Sequence, residues 1–466
     1  MSATIEETGS GMKLHTKILL GLVVGALFGI LANQTLGGTH PVVEFVNTYI
    51  AGPVGQIFFR LLYMIVMPLV FASIALGVAG LGDLRQTGRV GAKTLLYFLV
   101  TTALAATVGL MLVQLVKPGT RITPEIRTGL MQTFAGDAAT KVEAAQHTNF
   151  GIDTFVGIVT RNPVKSAVDG DMLGVIFFGL MFGIAMTMIA EDRARTMTRA
   201  LEALNDIVIK IVDMAMRLAP YGVAGLIFGV MSRFGFDLVA PIARYVAVVM
   251  GALLLHSLIT IPIIVRVLAG LSPVLFFSRI KAALVTAFST SSSAATLPTN
   301  MAVAEQSLGV PAKISGFVLP LGATMCMNGT AIFEGITVIF LAQVFGVSLS
   351  LGGQIIVIVM SVMTAVGAAG VPGGSLPLLV GILAMFGVPG EAIGIVLGID
   401  RILDMSRTTV NVLGDLSAAV VIGRSEGVWS PADVPTLTAN GPLDETPDWA
   451  PPVAERRPPA GGRAAG

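Results

Sequence analysis

Charged residues are scarce in this sequence. Asp, Glu, Lys and Arg make up 12% of its 466 residues, about half the 25% share of a soluble chain. The formal net charge is +1, so the composition indicates no nucleic-acid partner, and the single cysteine, Cys326, excludes an intrachain disulfide framework. Hydrophobic residues make up 54% and the mean hydropathy is +0.83. The sequence therefore predicts a multi-pass protein of a cell inner membrane, surrounded by lipid.

Apolar runs of membrane-spanning length occur six times before residue 270. A span needs about 20 mostly apolar residues. The first run has no small-residue cleavage site after it, so we interpret it as a retained helix. Lys and Arg are missing from residues 32–59 but recur after the second, fourth and sixth runs, which predicts a cytoplasmic N-terminus. The six runs cover residues 16–31, 54–81, 94–116, 173–189, 207–231 and 241–268.

Small residues interrupt two later apolar segments, at 289–298 and 367–377. Both interruptions end in Leu-Pro, and a helix-length apolar segment follows each. Paired interruptions of this kind point to a transporter substrate site. Non-helical backbone at membrane depth persists only where protein or a water-filled cavity satisfies its polar groups. We interpret both segments as tips of re-entrant hairpins; the alternative is a loop between ordinary helices or a glycine-kinked span.

Polar residues line one face of the last helical run. At about 100° per residue they share a stripe about 120° wide. A charge at membrane depth costs about 2.5–3.5 kcal/mol, so the stripe should face a cavity, a partner or ions. Pairing of Arg401 with Asp404, or a surface helix, would leave Arg407 and Asp415 unexplained. The stripe holds Asp400, Arg401, Asp404, Arg407, Thr408, Asn411 and Asp415.

The side chains of this stripe fit an acidic amino acid. An arginine such as Arg407, which has no carboxylate on its own helix turn, offers a planar fork to a carboxylate. Asp404 can hold an ammonium group. The hydroxyls of Thr408 and of Ser291–Ser293, with backbone N–H groups at the hairpin tips, can take a second carboxylate.

At these residues the sequence resembles the glutamate/aspartate transporter family, the dicarboxylate/amino acid:cation symporters that include the excitatory amino acid transporters. The resemblance extends to about Gly423. It implies an all-α membrane protein with eight transmembrane helices plus two re-entrant helical hairpins, built as an inverted-repeat, elevator-type homotrimer. It also implies a secondary active symporter for glutamate or aspartate, coupled to Na⁺ and/or H⁺, with no other cofactor.

The resemblance divides the chain into six parts. They are a cytoplasmic N-terminal segment (1–14), three helices that form scaffold and part of a transport domain (15–116), an extracytoplasmic polar loop (117–170), helices four to six (171–269), a transport core of hairpin 1, helix 7, hairpin 2 and helix 8 (270–423), and a disordered cytoplasmic tail (424–466).

The family's site residues transfer position by position. The substrate-binding set comprises Ser291, Ser292, Ser293, Thr330, Val371, Pro372, Gly373, Asp404, Arg407, Thr408 and Asn411. The cation-binding set comprises Thr101, Thr102, Gly322, Thr324, Cys326, Asn328, Asn411 and Asp415. Cys326 and Asn328 stand where the family usually has an amide and a carboxylate. Because sodium prefers oxygen ligands, both changes should weaken cation binding. Glu334 matches a proton-carrying glutamate of eukaryotic relatives.

Other functions are weighed against this one. A C4-dicarboxylate:cation symporter on the same scaffold is the main alternative, but Asp404 would repel a ligand without an ammonium group. A serine hydrolase built on Ser291–Ser293 needs a base within hydrogen-bond reach. The histidines are scattered, His256 is expected to pack or hydrogen-bond locally, and Lys281 lies at the basic rim. The sequence therefore does not predict an enzyme, and a channel activity beside transport stays open.

Overall fold

The computed structural model describes residues 14–87, 89–120, 122, 127–128, 130, 159–169, 172–368, 370, 372–397 and 399–435. All regular elements in these ranges are helices. Most of the predicted loop 117–170, the segment 1–13 and the tail beyond 435 lie outside the described residues, as does Val371.

The first half of the chain forms long apolar helices. Each of the six predicted apolar runs falls on one of them, with the sixth continuing from α8 through π-helical turns and the short α9 to Ala269. The helices are α1 Leu14–Leu36, α2 Pro41–Val46, α3 Gly52–Thr87, α4 Arg89–Val116, α5 Pro163–Asp169, α6 Met172–Met186, α7 Glu191–Phe234, α8 Val239–Leu255 and α9 Ile261–Ile264.

The second half is built from broken helices. Its helices are α10 Pro273–Thr290, α11 Ser293–Ala302, α12 Ala312–Met325, α13 Asn328–Phe345, α14 Leu351–Gly367, α15 Leu376–Met385, α16 Gly394–Leu397 and α17 Asp400–Ser425. The break at 367–377 lies where the sequence predicts it. The first break is shorter than predicted, because only Ser291 and Ser292 leave the helix and Pro298 lies inside α11.

Within the described residues, four stretches are long and apolar enough to cross a membrane: Thr16–Leu36, Arg89–Val116, Glu191–Ala269 and Ala312–Phe345. Shorter apolar helices accompany them, including Gly174–Met186 and Leu351–Val366. The protein is therefore an all-helical chain with several apolar helices of membrane-spanning length.

Two groups of helices surround the site. Helices α1, α3, α6 and α7 pack against one another, whereas α4 and α8 pack against α13 of the second half. Helix α13 is buried along nearly its whole length, between α4, α8, α14 and α17. The broken helices α12–α13 thus lie at the centre, where α17 crosses them.

The predicted boundary of the C-terminal tail at residue 424 is too early. Helix α17 continues to Ser425, and residues 426–435 fold back onto the helical core. Trp429 is buried, and its indole N–H donates to the carbonyl of Leu308 at 2.8 Å. Glu426 binds both Arg89 and Lys93 at the start of α4. We call residues 426–435 the C-terminal clasp.

Candidate functional site

The two breaks and the polar face of α17 meet at one place. The hydroxyl of Ser292 donates to the carbonyl of Gly370 at 2.6 Å, and the N–H of Ala294 donates to the same oxygen at 3.2 Å. The N–H of Gly373, which has a φ of +73°, donates to Asp404 Oδ2 at 3.2 Å. The two tips therefore contact each other, and the second one also contacts α17.

A small cavity lies beneath the two tips. Its volume is about 10 Å³, room for about one water molecule. Most of the predicted substrate-binding residues line it. Pro372 is half-buried and does not line the cavity. Ser292 and Gly373 make the tip contacts described above. The cavity is lined by Ser291, Ser293, Met327, Thr330, Ala368, Gly370, Gly374, Ser375, Asp404, Arg407, Thr408 and Asn411.

Arg407 is not a free cation, which corrects the sequence-based expectation. Its guanidinium contacts Asp404 Oδ1 at 2.7 Å and Asp400 Oδ1 at 2.9 Å, and it lies 4.3 Å above the centre of the Phe333 ring. Arg401 lies 3.6 Å from the other oxygen of Asp404. Two arginines and two aspartates thus balance in charge, and Arg407 is 2% exposed.

Two hydroxyl groups at the cavity lack hydrogen-bond partners within the described part of the chain. They belong to Ser291, at the first tip, and Ser375, at the second, and both are buried. An unpaired buried hydroxyl costs free energy, so both groups are available to an incoming acceptor. Ser291 adopts φ +51°, a left-handed conformation unusual for a residue with a side chain.

Asn411 supports the backbone of the broken helix. Its Oδ1 accepts from the N–H groups of Gly329 and Thr330 at 2.7 and 3.3 Å. Its amide N–H donates to the Thr330 hydroxyl at 3.3 Å. Asn411 therefore satisfies the first N–H groups of α13, which have no partner inside that helix.

Asp415 is the clearest place for a cation. Both carboxylate oxygens are fully buried, and neither has a hydrogen-bond partner within the described residues. A Cβ at Gly322 would lie 2.5 Å from Asp415 Oδ1, so only glycine permits this approach. Burial of a lone carboxylate is costly, and a bound sodium ion would offset that cost. Asp415 therefore offers two unpaired carboxylate oxygens to a cation.

Other predicted cation ligands already have protein partners. The hydroxyl of Thr324 is exposed and donates to Leu321, so the structure does not bring it to Asp415. Thr101 donates to the Tyr97 carbonyl at 2.8 Å. Thr102 and Cys326 both contact Asn328 Oδ1, at 2.9 and 3.8 Å.

Glu334 is fully buried on α13 beside this site. Its Oε2 accepts from the Thr364 hydroxyl at 2.5 Å, whereas its Oε1 has no partner within the described residues. The carboxyl group therefore has one oxygen that can carry a proton while the other keeps its contact with Thr364.

Three polar residues in or next to the site are missing from the predicted set. Asp400 has the right helical phase, but the period does not show that it pairs with Arg407. Ser375 lies within the Gly-Gly-Ser-Leu-Pro run, where its unpaired hydroxyl is the informative feature. His256 lies on a distant helix and meets Asn328 only in the folded chain.

A family model and several known relatives match most of this chain. The model of the sodium:dicarboxylate symporter family matches residues 14–425. The proton/sodium-glutamate symport protein of Bacillus subtilis (strain 168) is 34% identical over 436 residues, 93% of this chain and 97% of the relative. The proton/glutamate-aspartate symporter of Escherichia coli (strain K12) is 34% identical over 414 residues, 89% and 93%. Excitatory amino acid transporter 2 of Homo sapiens is 32% identical over 464 residues, 88% and 79%. This chain belongs to the sodium:dicarboxylate symporter family.

Proposed function

We propose that this protein is a secondary active symporter that takes up glutamate or aspartate together with Na⁺ and/or H⁺. The observation that carries the proposal is the buried Arg407–Asp404 pair at the wall of the small cavity, next to the unpaired hydroxyls of Ser291 and Ser375.

The ion pair determines what kind of ligand can enter. Separation of a buried pair leaves two uncompensated charges, and loss of one partner costs about 3–5 kcal/mol. An acidic amino acid replaces both partners at once, because its side-chain carboxylate binds Arg407 and its ammonium binds Asp404. Its α-carboxylate then accepts from Ser291 and Ser375, with Ser293 nearby in the wall.

A C4-dicarboxylate is the alternative substrate, and the geometry disfavours it. Such a ligand could bind Arg407, but it would set a second carboxylate against Asp404 and leave that aspartate without an ammonium partner. The cost of an unpaired buried charge then opposes binding. A substrate with an ammonium group is favoured instead, because it can replace Arg407 as the partner of Asp404.

Coupling ions are assigned to two carboxyl groups. Asp415, with two unpaired oxygens, holds Na⁺, and Glu334, with one, carries a proton. The names of the relatives support both ions, since the Bacillus subtilis protein is called a proton/sodium-glutamate symport protein and the Escherichia coli protein a proton/glutamate-aspartate symporter. Cation binding beside the substrate cavity would couple substrate uptake to the sodium and proton gradients.

The wider architecture belongs to the same proposal. It comprises eight transmembrane helices with two re-entrant hairpins, an elevator-type movement of the transport core, a homotrimer and an inner-membrane location. Packing of α4 and α8 against the broken helices supports a transport core that includes them. The closed tips over a cavity of about 10 Å³ support a hairpin that opens to admit substrate.

Calorimetry on an Asp404→Asn variant tests the substrate assignment. We expect aspartate affinity to fall at least about 30-fold, the equivalent of about 2 kcal/mol, because the ammonium loses its charged partner. Binding of succinate should weaken less or improve. Thr409→Ala is the matched control, since its hydroxyl donates only to Met405 on the same helix. Parent-like aspartate binding by Asp404→Asn would refute the assignment.

A further inference from the structure

The family resemblance places a cation at Thr101 and Thr102, with Cys326 and Asn328 beside them. In this structure these four side chains contact protein atoms, and none of their polar atoms is unpaired within the described residues. Asp415 differs from them, because both of its oxygens are unpaired. Asp415 therefore requires a compensating cation, whereas the four side chains at Thr101, Thr102, Cys326 and Asn328 do not.

Asn328 is the centre of a hydrogen-bonded chain between three helices. Its Oδ1 accepts from the hydroxyl of Thr102 on α4 at 2.9 Å, and its Nδ2 lies 3.3 Å from Nε2 of His256, which follows α8. Since the amide nitrogen donates, His256 Nε2 accepts, an assignment made from the network. Thr102, Asn328 and His256 are each fully buried.

The chemistry of this chain does not suit sodium. Sodium needs several oxygen acceptors directed at one point. Here the Asn328 oxygen already accepts from Thr102 and faces the Cys326 thiol, and the other end of the amide presents N–H groups. The hydrogen-bonded side chains of Thr102, Asn328 and His256 carry no negative charge when His256 is neutral. An uncompensated cation at membrane depth is costly. The residues present therefore do not fit a cation at this place.

We propose that Thr102, Asn328 and His256 form a neutral hydrogen-bonded chain that replaces this cation site, so that the protein binds one sodium ion fewer than a relative with a carboxylate at this position. His256 acts as a positioning residue, because its acceptor nitrogen fixes the orientation of the Asn328 amide. The inference rests on the proposed symport function and concerns the number of coupling ions.

Thermal unfolding of the purified full-length protein in detergent counts the bound ions. NaCl is varied against choline chloride at constant ionic strength. An ion that binds only the folded state stabilises it by mass action, so the steepness of the rise in Tm against ln [Na⁺] reports the number of ions. Thr102→Val should keep the parent's slope of Tm against ln [Na⁺]. The sodium concentration at the midpoint of the rise should lie within about twofold of the parent's. Asp415→Asn should lose one ion, and Asn328→Asp should gain one, because the new carboxylate lacks a compensating charge.

Two results would overturn the inference. One is loss of an ion in Thr102→Val, which would show that its hydroxyl is a sodium ligand. The other is unchanged steepness in a folded Asn328→Asp variant, which would show that the neutral amide does not decide cation binding. Failure of the parent to bind aspartate in calorimetry would instead contradict the proposed function and leave the sodium count intact.

A pair of histidine variants tests the positioning role. His256→Gln retains an acceptor for the Asn328 amide, whereas His256→Leu removes it. We expect His256→Leu to lower Tm more than His256→Gln, with the sodium steepness of His256→Gln unchanged. Equal Tm values for both variants, or a sodium steepness reduced in His256→Gln, would contradict the role.

Discussion

At the scale of single residues, Arg407 makes the most consequential contacts. It pairs with Asp400 and Asp404 in a buried, charge-balanced group. The period of a helix predicts that these residues share a face. It does not predict the pairing of Arg407 with Asp400, because a contact seven residues away depends on the directions of long side chains. The sequence therefore predicts which residues share the face but not that Arg407 is paired with two carboxylates.

Replacement of Arg407 by cysteine tests its place in substrate binding. Arg407→Cys should abolish uptake of acidic amino acids, because it removes the partner of the substrate carboxylate and leaves Asp400 without its arginine, at a cost of about 3–5 kcal/mol. Arg407→Lys is the informative comparison, since it keeps the charge without the planar fork. Measured aspartate affinity within about threefold of the parent in Arg407→Cys would reject the assignment.

Glu334 provides a test of proton coupling. We expect Glu334→Gln to flatten the dependence of uptake on pH, because glutamine keeps the contact with Thr364 but cannot exchange a proton. Thr364→Val is the control: it removes the hydroxyl that donates to Glu334 and keeps the carboxyl group. Uptake in liposomes across a series of pH values decides the question, and a parent-like pH profile in Glu334→Gln would exclude this residue as the proton carrier.

At the scale of elements, the breaks matter more than the helices. The small-residue runs predict both tips, because glycine and serine tolerate non-helical backbone better than the large apolar residues of the neighbouring helices do. They do not predict that the first tip spans only Ser291 and Ser292. The side chain of Ser292 caps α11 by accepting from Ala295, so helix resumes at once and includes Pro298. Capping geometry of this kind depends on the local fold as well as on composition.

The C-terminal clasp gives a second test at this scale. Trp429 is buried, and its indole N–H donates to the carbonyl of Leu308, which lies between α11 and α12. Trp429→Ala should destabilise the protein by about 3–5 kcal/mol through loss of buried volume. Trp429→Phe should retain most of the packing and cost about 1–3 kcal/mol for the unpaired carbonyl. Thermal unfolding of the two variants separates packing from hydrogen bonding, and equal Tm values for Phe, Ala and the parent would show that the clasp adds no stability.

At the scale of the whole molecule, the first three long helices have their main packing partners in different groups of helices. Helices α1 and α3 pack with α6 and α7, whereas α4 joins α8 and the broken helices. Apolar runs and basic residues indicate spans and orientation, but they carry no information on which helices share an interface. This division explains how Thr102 of α4 and His256, which follows α8, meet Asn328 of α13, and why His256 is identified only in the folded chain.

Uptake by proteoliposomes tests the central claim most directly. Labelled aspartate, glutamate and succinate are supplied separately, under an inward sodium gradient, an inward proton gradient, or both. The Arg407–Asp404 exchange predicts concentrative uptake of aspartate or glutamate, driven by at least one gradient. Succinate should be taken up at least about tenfold more slowly, because it would displace Asp404 from Arg407 without supplying an ammonium group. Succinate transport that equals or exceeds that of both amino acids, or uptake that neither gradient drives, would contradict the account.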